Sequence, residues 1–418
     1  MAAIPLSPAQ RRAYEGNIRK FYLFRFLTDC QFWLPIWVIY LTDHRSLSLT
    51  EITVLDNAFW VILVFMEVPT GAIADRYGRR VSLMYGALAN TVAIAIFGLA
   101  DSYGILLASY LAWGIAWTLF SGADSAFFYD SLRALGREGE YQKLWGRCFA
   151  IQSAGGIAGL LIGAPLAAWT NLPTPILLSA GLMGAAWLVT LSFREPPRHA
   201  EGEHQLGYTA GLRLAVNVIW HTCSIRYFMP MAATIVALGM CVSILRQPFF
   251  SSHGFDVAYF GLLSVPGSFL SIAIAIWAHR FVTAIGLNRV VLFLPLLVIA
   301  GCVGLGAFDT PWAIIFFYVS GMAAALAVPL VSDYLNKRIP GGQRATILSF
   351  YQLMFSLILA GFEPLLGVIA DRQGLPVTFR VAGIVAAVTT APLIALWLRA
   401  VRHERALPVG PPAAEPAT

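Results

Sequence analysis

The chain has 418 residues, of which 58% are hydrophobic and 12% charged, and its mean hydropathy is +0.71. Soluble domains carry about 25% charged residues, so this composition excludes a protein dissolved in water and indicates one embedded in lipid. The formal net charge of +6 does not indicate nucleic-acid binding, because the basic residues lie in short connections between apolar runs.

Apolar runs recur along the whole chain. A helix that spans a bilayer needs about 20 apolar residues, and the sequence predicts twelve of them in an all-α membrane protein. They lie near residues 20–42, 50–73, 81–100, 104–132, 145–169, 174–193, 227–249, 257–278, 290–307, 311–335, 344–369 and 377–398.

One long polar connection divides these helices into two sets of six. We therefore predict an N-terminal six-helix bundle at 1–193 and a C-terminal six-helix bundle at 222–405. Between them, 194–221 is predicted to be a cytoplasmic linker whose later part forms an amphipathic helix on the membrane surface. The tail at 406–418, rich in proline and alanine, is predicted to be disordered.

The distribution of basic residues predicts the orientation. With the N-terminus in the cytoplasm, most of the 28 lysines and arginines lie on the cytoplasmic side, whereas Arg45, Arg246, Arg372 and Arg380 lie outside. Cytoplasmic loops carry the excess of positive charge. We expect a multi-pass protein of the cell membrane, that is, the cytoplasmic or inner membrane, with both termini in the cytoplasm.

A basic decapeptide, GAIADRYGRR, lies between the second and third apolar runs. Its two glycines are expected to let the backbone reverse, and its arginines to hold the turn at one membrane face. It resembles the loop between the second and third helices of the major facilitator superfamily, whose pattern is Gly-x-x-x-Asp-Arg-x-Gly-Arg-Arg/Lys. The matching residues are Gly71, Asp75, Arg76, Gly78, Arg79 and Arg80.

The resemblance implies two pseudo-symmetric six-helix bundles that rock about a site near the middle of the membrane, giving alternating access. The first, fourth, seventh and tenth helices would line a central cavity. Weak similarity between the halves agrees: Asp130 closes the fourth run as Asp333 closes the tenth, and Arg147 opens the fifth run as Arg344 opens the eleventh.

We expect these four residues to form a gating network with the decapeptide. Asp130 would pair with Arg76, Arg79 or Arg147. Glu67, near the cytoplasmic end of the second run, either belongs to this network or is a protonation site.

Ionisable residues inside the spans cost about 3 kcal/mol each to insert, so each needs a reason. Arg25 and Asp29 are four residues apart and share a helix face, which Trp33 is expected to continue. In one interpretation Asp29 binds a proton or substrate in the cavity. In the other, the two residues form an internal ion pair that only fixes helix packing.

The fourth run carries a second acid, Asp124, with Trp113 and Trp117 expected on the same side of the helix. An acid and two indoles on one stripe could bind an amphipathic or cationic substrate through charge and cation–π contacts. Alternatively, Asp124 is hydrogen-bonded to neighbouring hydroxyls and the tryptophans face lipid.

No P-loop, nucleophile elbow or metal-ligand spacing is present in the sequence. We expect a secondary transporter rather than an enzyme: a monomer without cofactor or metal, whose partners are a small-molecule substrate, protons and the bilayer. The leading hypothesis is proton-coupled efflux of an amphipathic compound, as in drug–proton antiporters, with Asp29 or Asp124 as the coupling acid. The arginine that such antiporters carry within the fourth helix is absent, which argues against the simplest form of this hypothesis.

Two alternatives remain open. The chain is a proton-coupled importer of a nutrient or organic anion, in which Arg25 or Arg246 holds the anionic group. Or it is a non-transporting membrane sensor with the same fold.

Overall fold

The structure, a computed structural model, describes residues 6–197, 208–339 and 344–406, which fold almost entirely into helices. The N-terminal half contains α1 (Pro8–Asp29), α2 (Trp37–Ile39), α3 (Leu49–Tyr77), α4 (Arg79–Leu99), α5 (Tyr103–Phe120), α6 (Ala123–Ala134), α7 (Tyr141–Trp169) and α8 (Pro173–Leu191). The C-terminal half contains α9 (Tyr208–His221), α10 (Cys223–Ile244), α11 (Arg246–Ser252), α12 (Phe260–Ile285), α13 (Leu287–Ala307), α14 (Ile314–Asn336), α15 (Arg344–Gln373) and α16 (Leu375–Ala406).

Eleven helical segments of the described chain are long and apolar enough to cross a membrane. The first predicted span, 20–42, is not one continuous helix. It consists of the end of α1, an irregular stretch, α2 and a π-helical turn at Tyr40–His44. Pro35 lies in the irregular stretch, where it has no N–H to donate and disfavours helix at the residue before it.

Each half packs as its own bundle. In the N-terminal half α4 packs against α5 and α8, and α1 packs against α7. In the C-terminal half α10 packs against α16, and α13 packs against α14 and α16. The halves meet where α3 packs against α15 and where α7 packs against α12. A cavity can therefore form between the two bundles.

The halves touch at one end of the molecule, where α3 begins and α15 ends, which we call the Gly374 end. Asp371 of α15 accepts hydrogen bonds from the backbone N–H groups of Leu49 (2.9 Å) and Thr50 (2.8 Å), so it caps the start of α3. Gln247 of α11 accepts a bond from the N–H of Val38 (2.9 Å) and donates one to the carbonyl oxygen of Leu34 (3.0 Å). These bonds fasten the two bundles together at that end.

The expected turn lies at the opposite end, and it is shorter than predicted. Gly71 lies within α3, and the backbone reverses only at Gly78, whose φ of 117° suits glycine alone. The prediction that Gly71 helps to reverse the chain is therefore wrong. The α3 helix is continuous from Leu49 to Tyr77 and so includes the first part of the decapeptide. We call the end that holds this turn the Gly78 end.

The linker is described in part. Residues 198–207 lie outside the described chain, as does the tail from 407 onward. The predicted helix in the later part of the linker is present as α9 (Tyr208–His221), while its position on a membrane surface stays a prediction.

Candidate functional site

Three long helical segments of the described chain are interrupted, and a charged residue lies next to each interruption. Asp29 is the last residue of α1. Asp124 lies in the first turn of α6, just after a break at Ser121 and Gly122, where Gly122 has a φ of 71°. Arg246 begins α11 directly after the break at Leu245. Interrupted helices near the middle of the membrane are where transporters place substrate and ion sites.

The first two acids share one arginine. Nη1 of Arg25 lies 3.2 Å from Oδ2 of Asp124, and Nη2 lies 3.8 Å from Oδ2 of Asp29. Asp29 also accepts hydrogen bonds from Nε2 of Gln152 (3.0 Å) and from the hydroxyl of Thr28 (3.2 Å). Two carboxylates and one guanidinium leave a net charge of −1, so this partly buried cluster becomes neutral when it takes up one proton.

The packing of α7 against α1 explains how Asp29 is positioned. A Cβ on Gly155 would lie 2.6 Å from the carbonyl oxygen of Phe26, and one on Gly159 would lie 2.8 Å from the backbone of Gln31. Only glycine allows α7 to come this close, as expected for small residues at helix interfaces. The same close approach brings Gln152 of α7 within reach of Asp29.

A cavity of about 460 Å³ lies between the two halves and contains Asp29. The N-terminal half contributes Asp29 and Gln152, and the C-terminal half contributes Arg246 and Tyr318. The wall contains both hydroxyl groups and apolar side chains. The hydroxyls belong to Ser153, Ser243, Ser264, Ser268, Ser271 and Ser320, and the apolar groups to Leu34, Ile157, Leu160, Val242, Ile272 and Phe317.

A family model of the Major Facilitator Superfamily matches residues 21–363. The chain belongs to this superfamily. It is 23% identical over 370 residues to an uncharacterized MFS-type transporter, YxaM, of Bacillus subtilis (strain 168), covering 84% of this chain and 88% of that protein. A shorter match, 27% identical over 172 residues, is to multidrug resistance protein 1 of the same organism and covers 41% of this chain and 43% of that one.

The fold agrees with that assignment. The crystal structure of the nucleoside transporter NupG superposes with a TM-score of 0.71 at 15% identity, covering 92% of this chain and 99% of that one. The chain therefore has the two-bundle, twelve-helix fold of the superfamily. Members of this family are transporters rather than enzymes.

The superfamily motif is anchored inside the N-terminal bundle. Of the three arginines considered as partners of Asp130, the structure pairs it with Arg79, which also donates to the carbonyl oxygen of Ala126 (2.8 Å). Glu195, which follows α8, accepts bonds from the backbone N–H groups of Arg79 (2.9 Å) and Arg80 (2.8 Å). Glu195 thus caps α4, which sequence reasoning missed because the two segments lie more than a hundred residues apart.

The other predicted gating residues are dispersed. Asp75 and Arg76 lie on the exposed last turn of α3, and Arg147 is exposed on α7. Asp333 pairs with Lys337 on its own helix at 2.7 Å. The side chain of Arg344 lies outside the described part of the chain.

Glu67 lines a second cavity of about 510 Å³ between α3, α5 and α15. The α3 residues that line it, from Trp60 to Glu67, lie nearer the Gly78 end than Asp56 does.

The three predicted tryptophans do not extend the acid-bearing helix faces. Trp33 lies beyond the end of α1, so it does not continue the face of Arg25 and Asp29. It packs edge to face against Trp113, with ring centroids 5.2 Å apart. Trp117 is 48% exposed and lines the cavity that holds Glu67. The expected single stripe from Trp113 to Asp124 is wrong because the helix stops at Phe120.

Sequence reasoning also missed Gln152 and Asp56. Gln152 lies in the glycine-rich helix α7, and nothing in the sequence around it indicates a contact with Asp29. Asp56 lies seven residues after the start of α3. The sequence did contain a signal for Asp56, because Trp60 follows it by four residues and therefore lies on the same helix face. In the structure, Nε1 of Trp60 donates a hydrogen bond to Oδ2 of Asp56 at 3.0 Å.

Proposed function

We propose that this protein exchanges a small amphipathic solute for protons, with Asp29 as the residue for which solute and proton compete. The observation that carries the proposal is that Asp29 belongs both to the Arg25–Asp124 cluster and to the wall of the central cavity. Either a proton or a cationic group of the solute can neutralise the Asp29 carboxylate. Binding of one therefore disfavours binding of the other. Competition for one site is the simplest basis of antiport.

The lining of the cavity supports an amphipathic solute. Serine hydroxyls can bond the polar groups of a ligand, and the leucine, isoleucine, valine and phenylalanine side chains cover its apolar part. The partial match to a protein described as a multidrug resistance protein agrees with export. We propose further that transport is outward and coupled to protons. We also propose that the protein lies in the cell membrane with both termini in the cytoplasm.

A second candidate is import of an organic anion, favoured by Arg246. This guanidinium lines the central cavity, and its Nε has no hydrogen-bond partner among the described residues. An arginine presents several donors that match a carboxylate or phosphate group. A solute with an anionic group could therefore be held by Arg246 while Asp29 carries the proton.

The experiment begins with a thermal-shift screen of purified protein against a panel of amphipathic amines and organic anions. The compound that binds is then followed in liposomes, first by counterflow without a pH gradient and then with one. We expect Asp29→Asn to lose gradient-driven transport while it keeps counterflow, since the amide still bonds but cannot titrate. Asp43→Asn, at an exposed acid of the Gly374 end, is the matched control and should transport normally.

Three outcomes decide between the readings. If gradient-driven transport survives in Asp29→Asn but fails in Asp124→Asn, the coupling role moves to α6. If it survives in both variants, proton coupling through this cluster is wrong. If a compound binds and native protein shows no counterflow, the chain is a sensor and not a transporter.

A further inference from the structure

A separate cavity of about 250 Å³ lies nearer the Gly374 end, between α3, α5, α10 and α15. Six aromatic residues line its wall, together with three charged side chains: Asp56, Arg246 and Glu363. The cavity also adjoins the central one, since Leu34, Ser243 and Arg246 line both. The aromatic residues are Trp33, Trp37, Phe59, Trp60, Tyr110 and Trp113.

Two of the ionisable groups meet across the boundary between the halves. Asp56 on α3 and Glu363 on α15 line this cavity from opposite halves, and their carboxyl groups lie close enough for a hydrogen bond when one of them is protonated. Glu363 is only 2% exposed, and its Oε2 has no hydrogen-bond partner among the described residues. One turn away, Nδ2 of Asn57 donates to the carbonyl oxygen of Ala360 at 2.8 Å, so this contact is part of the closed interface.

Two carboxyl groups in contact and shielded from water cannot both be ionised, because like charges at that distance repel strongly. A hydrogen bond between them also requires a proton on one of them. The other titratable groups near the pair are Tyr110 on α5 and Cys241 on α10, and Arg246 on α11 lines the same cavity. With one shared proton, the pair carries one negative charge and Arg246 one positive charge, so the cavity is neutral.

We propose that Asp56 and Glu363 form a second proton-binding site, whose shared proton holds the two halves together at the Gly374 end. When the proton leaves, two carboxylates face each other across the boundary between α3 and α15. Their repulsion then favours separation of these helices, which opens that end to the outside. Asp29 takes no part in this second site, so a failure of Asp29 as the coupling residue would leave the role of Asp56 and Glu363 unaffected.

The first test looks for the proton itself. Infrared spectra of the purified full-length protein in lipid nanodiscs are recorded in water and in deuterium oxide. We expect a band from a buried, protonated carboxylic acid that is lost both in Glu363→Gln and in Asp56→Asn, since either change removes one half of the shared site. Spectra of both variants that superimpose on the native spectrum would overturn the proposal.

The second test follows the opening. Spin labels on cysteines at Ser102 and Gln373, both exposed at the Gly374 end but in different halves, report the distance between the bundles. The background carries Cys223→Ser, because Cys223 is exposed whereas the other four cysteines are buried. We expect a single short distance at mildly acidic pH, and a growing longer population as the pH rises.

Variants locate the titrating group. The double variant Asp56→Asn/Glu363→Gln cannot ionise, so it should keep the short distance at every pH. The control Asp43→Asn should respond to pH as the native chain does. If the double variant does not fold, Glu363→Gln alone serves, since a single remaining carboxyl removes the repulsion. A native distance that ignores pH, or a response to pH that persists without the pair, contradicts the proposal.

Discussion

Gly367 allows the two halves to close, and replacing it should open them. It lies on α15 against the first turns of α3. A Cβ at this position would meet Oγ1 of Thr53, and would lie 2.9 Å from the carbonyl oxygen of Leu49 and 3.0 Å from Cα of Thr50. Two of these three atoms belong to the backbone, so they cannot rotate away. In Gly367→Ala, α3 and α15 must move apart or the closed state must bear the strain.

The size of the effect follows from that geometry. An extra methyl group in a well-packed contact costs about 1–3 kcal/mol. The contact joins the two halves and is absent once they separate, so the closed state alone bears this cost. A difference of about 1–3 kcal/mol shifts an equilibrium about 5- to 150-fold. We expect the open population to rise by a factor in that range, while each bundle keeps its own packing.

Distances between spin labels at Ser102 and Gln373 measure the open fraction directly. Gly361→Ala is a matched control on the same helix, because a Cβ there would have no atom within 4 Å. Both variants gain the same helix propensity, about 1 kcal/mol, so only the contact differs between them. Identical distance distributions in Gly367→Ala and Gly361→Ala would refute the reasoning.

Three further predictions concern the Gly78 end and the orientation. Asp75→Asn removes the acid of the superfamily motif and should slow transport without reducing expression; normal turnover would show that the acid is dispensable. A cysteine that replaces Arg338 should be protected from an impermeant thiol reagent in intact cells, whereas one that replaces Arg372 should react; the reverse labelling pattern would contradict the predicted orientation. Glu195→Ala removes the cap of α4 and should lower the free energy of unfolding by about 1 kcal/mol, measured as a fall in melting temperature; an unchanged value contradicts that role.

Local spacing made part of the site predictable. Arg25 and Asp29 are one helical turn apart, so their contact could be read from the sequence. The arginines around Gly78 identified the family, and the apolar runs identified the bundles. In these cases the sequence positions that interact are neighbours, or the pattern repeats along a long helix.

Long-range packing hid the rest. The contact of Arg25 with Asp124 joins residues 99 positions apart, and that of Gln152 with Asp29 joins residues 123 positions apart. Hydropathy carries no information on backbone geometry, so the breaks after α1 and between α5 and α6 could not be predicted from it. The pair of Asp56 and Glu363 exists only because α3 and α15 meet across the two halves.

The interrupted helices have a consequence for hydrogen exchange. The N–H groups of Gln31 and Ala123 donate to carbonyl oxygens two residues earlier, and those of Leu34, Ile36 and Leu245 to carbonyl oxygens three residues earlier, instead of the regular partner four residues earlier. Amides without such partners open more easily than their helical neighbours. Deuterium should therefore enter the middle of these helices before it enters the flanking turns. A solute that settles against the breaks would slow that entry, so the natural substrate can be sought in unlabelled, unsubstituted protein by the protection it confers there.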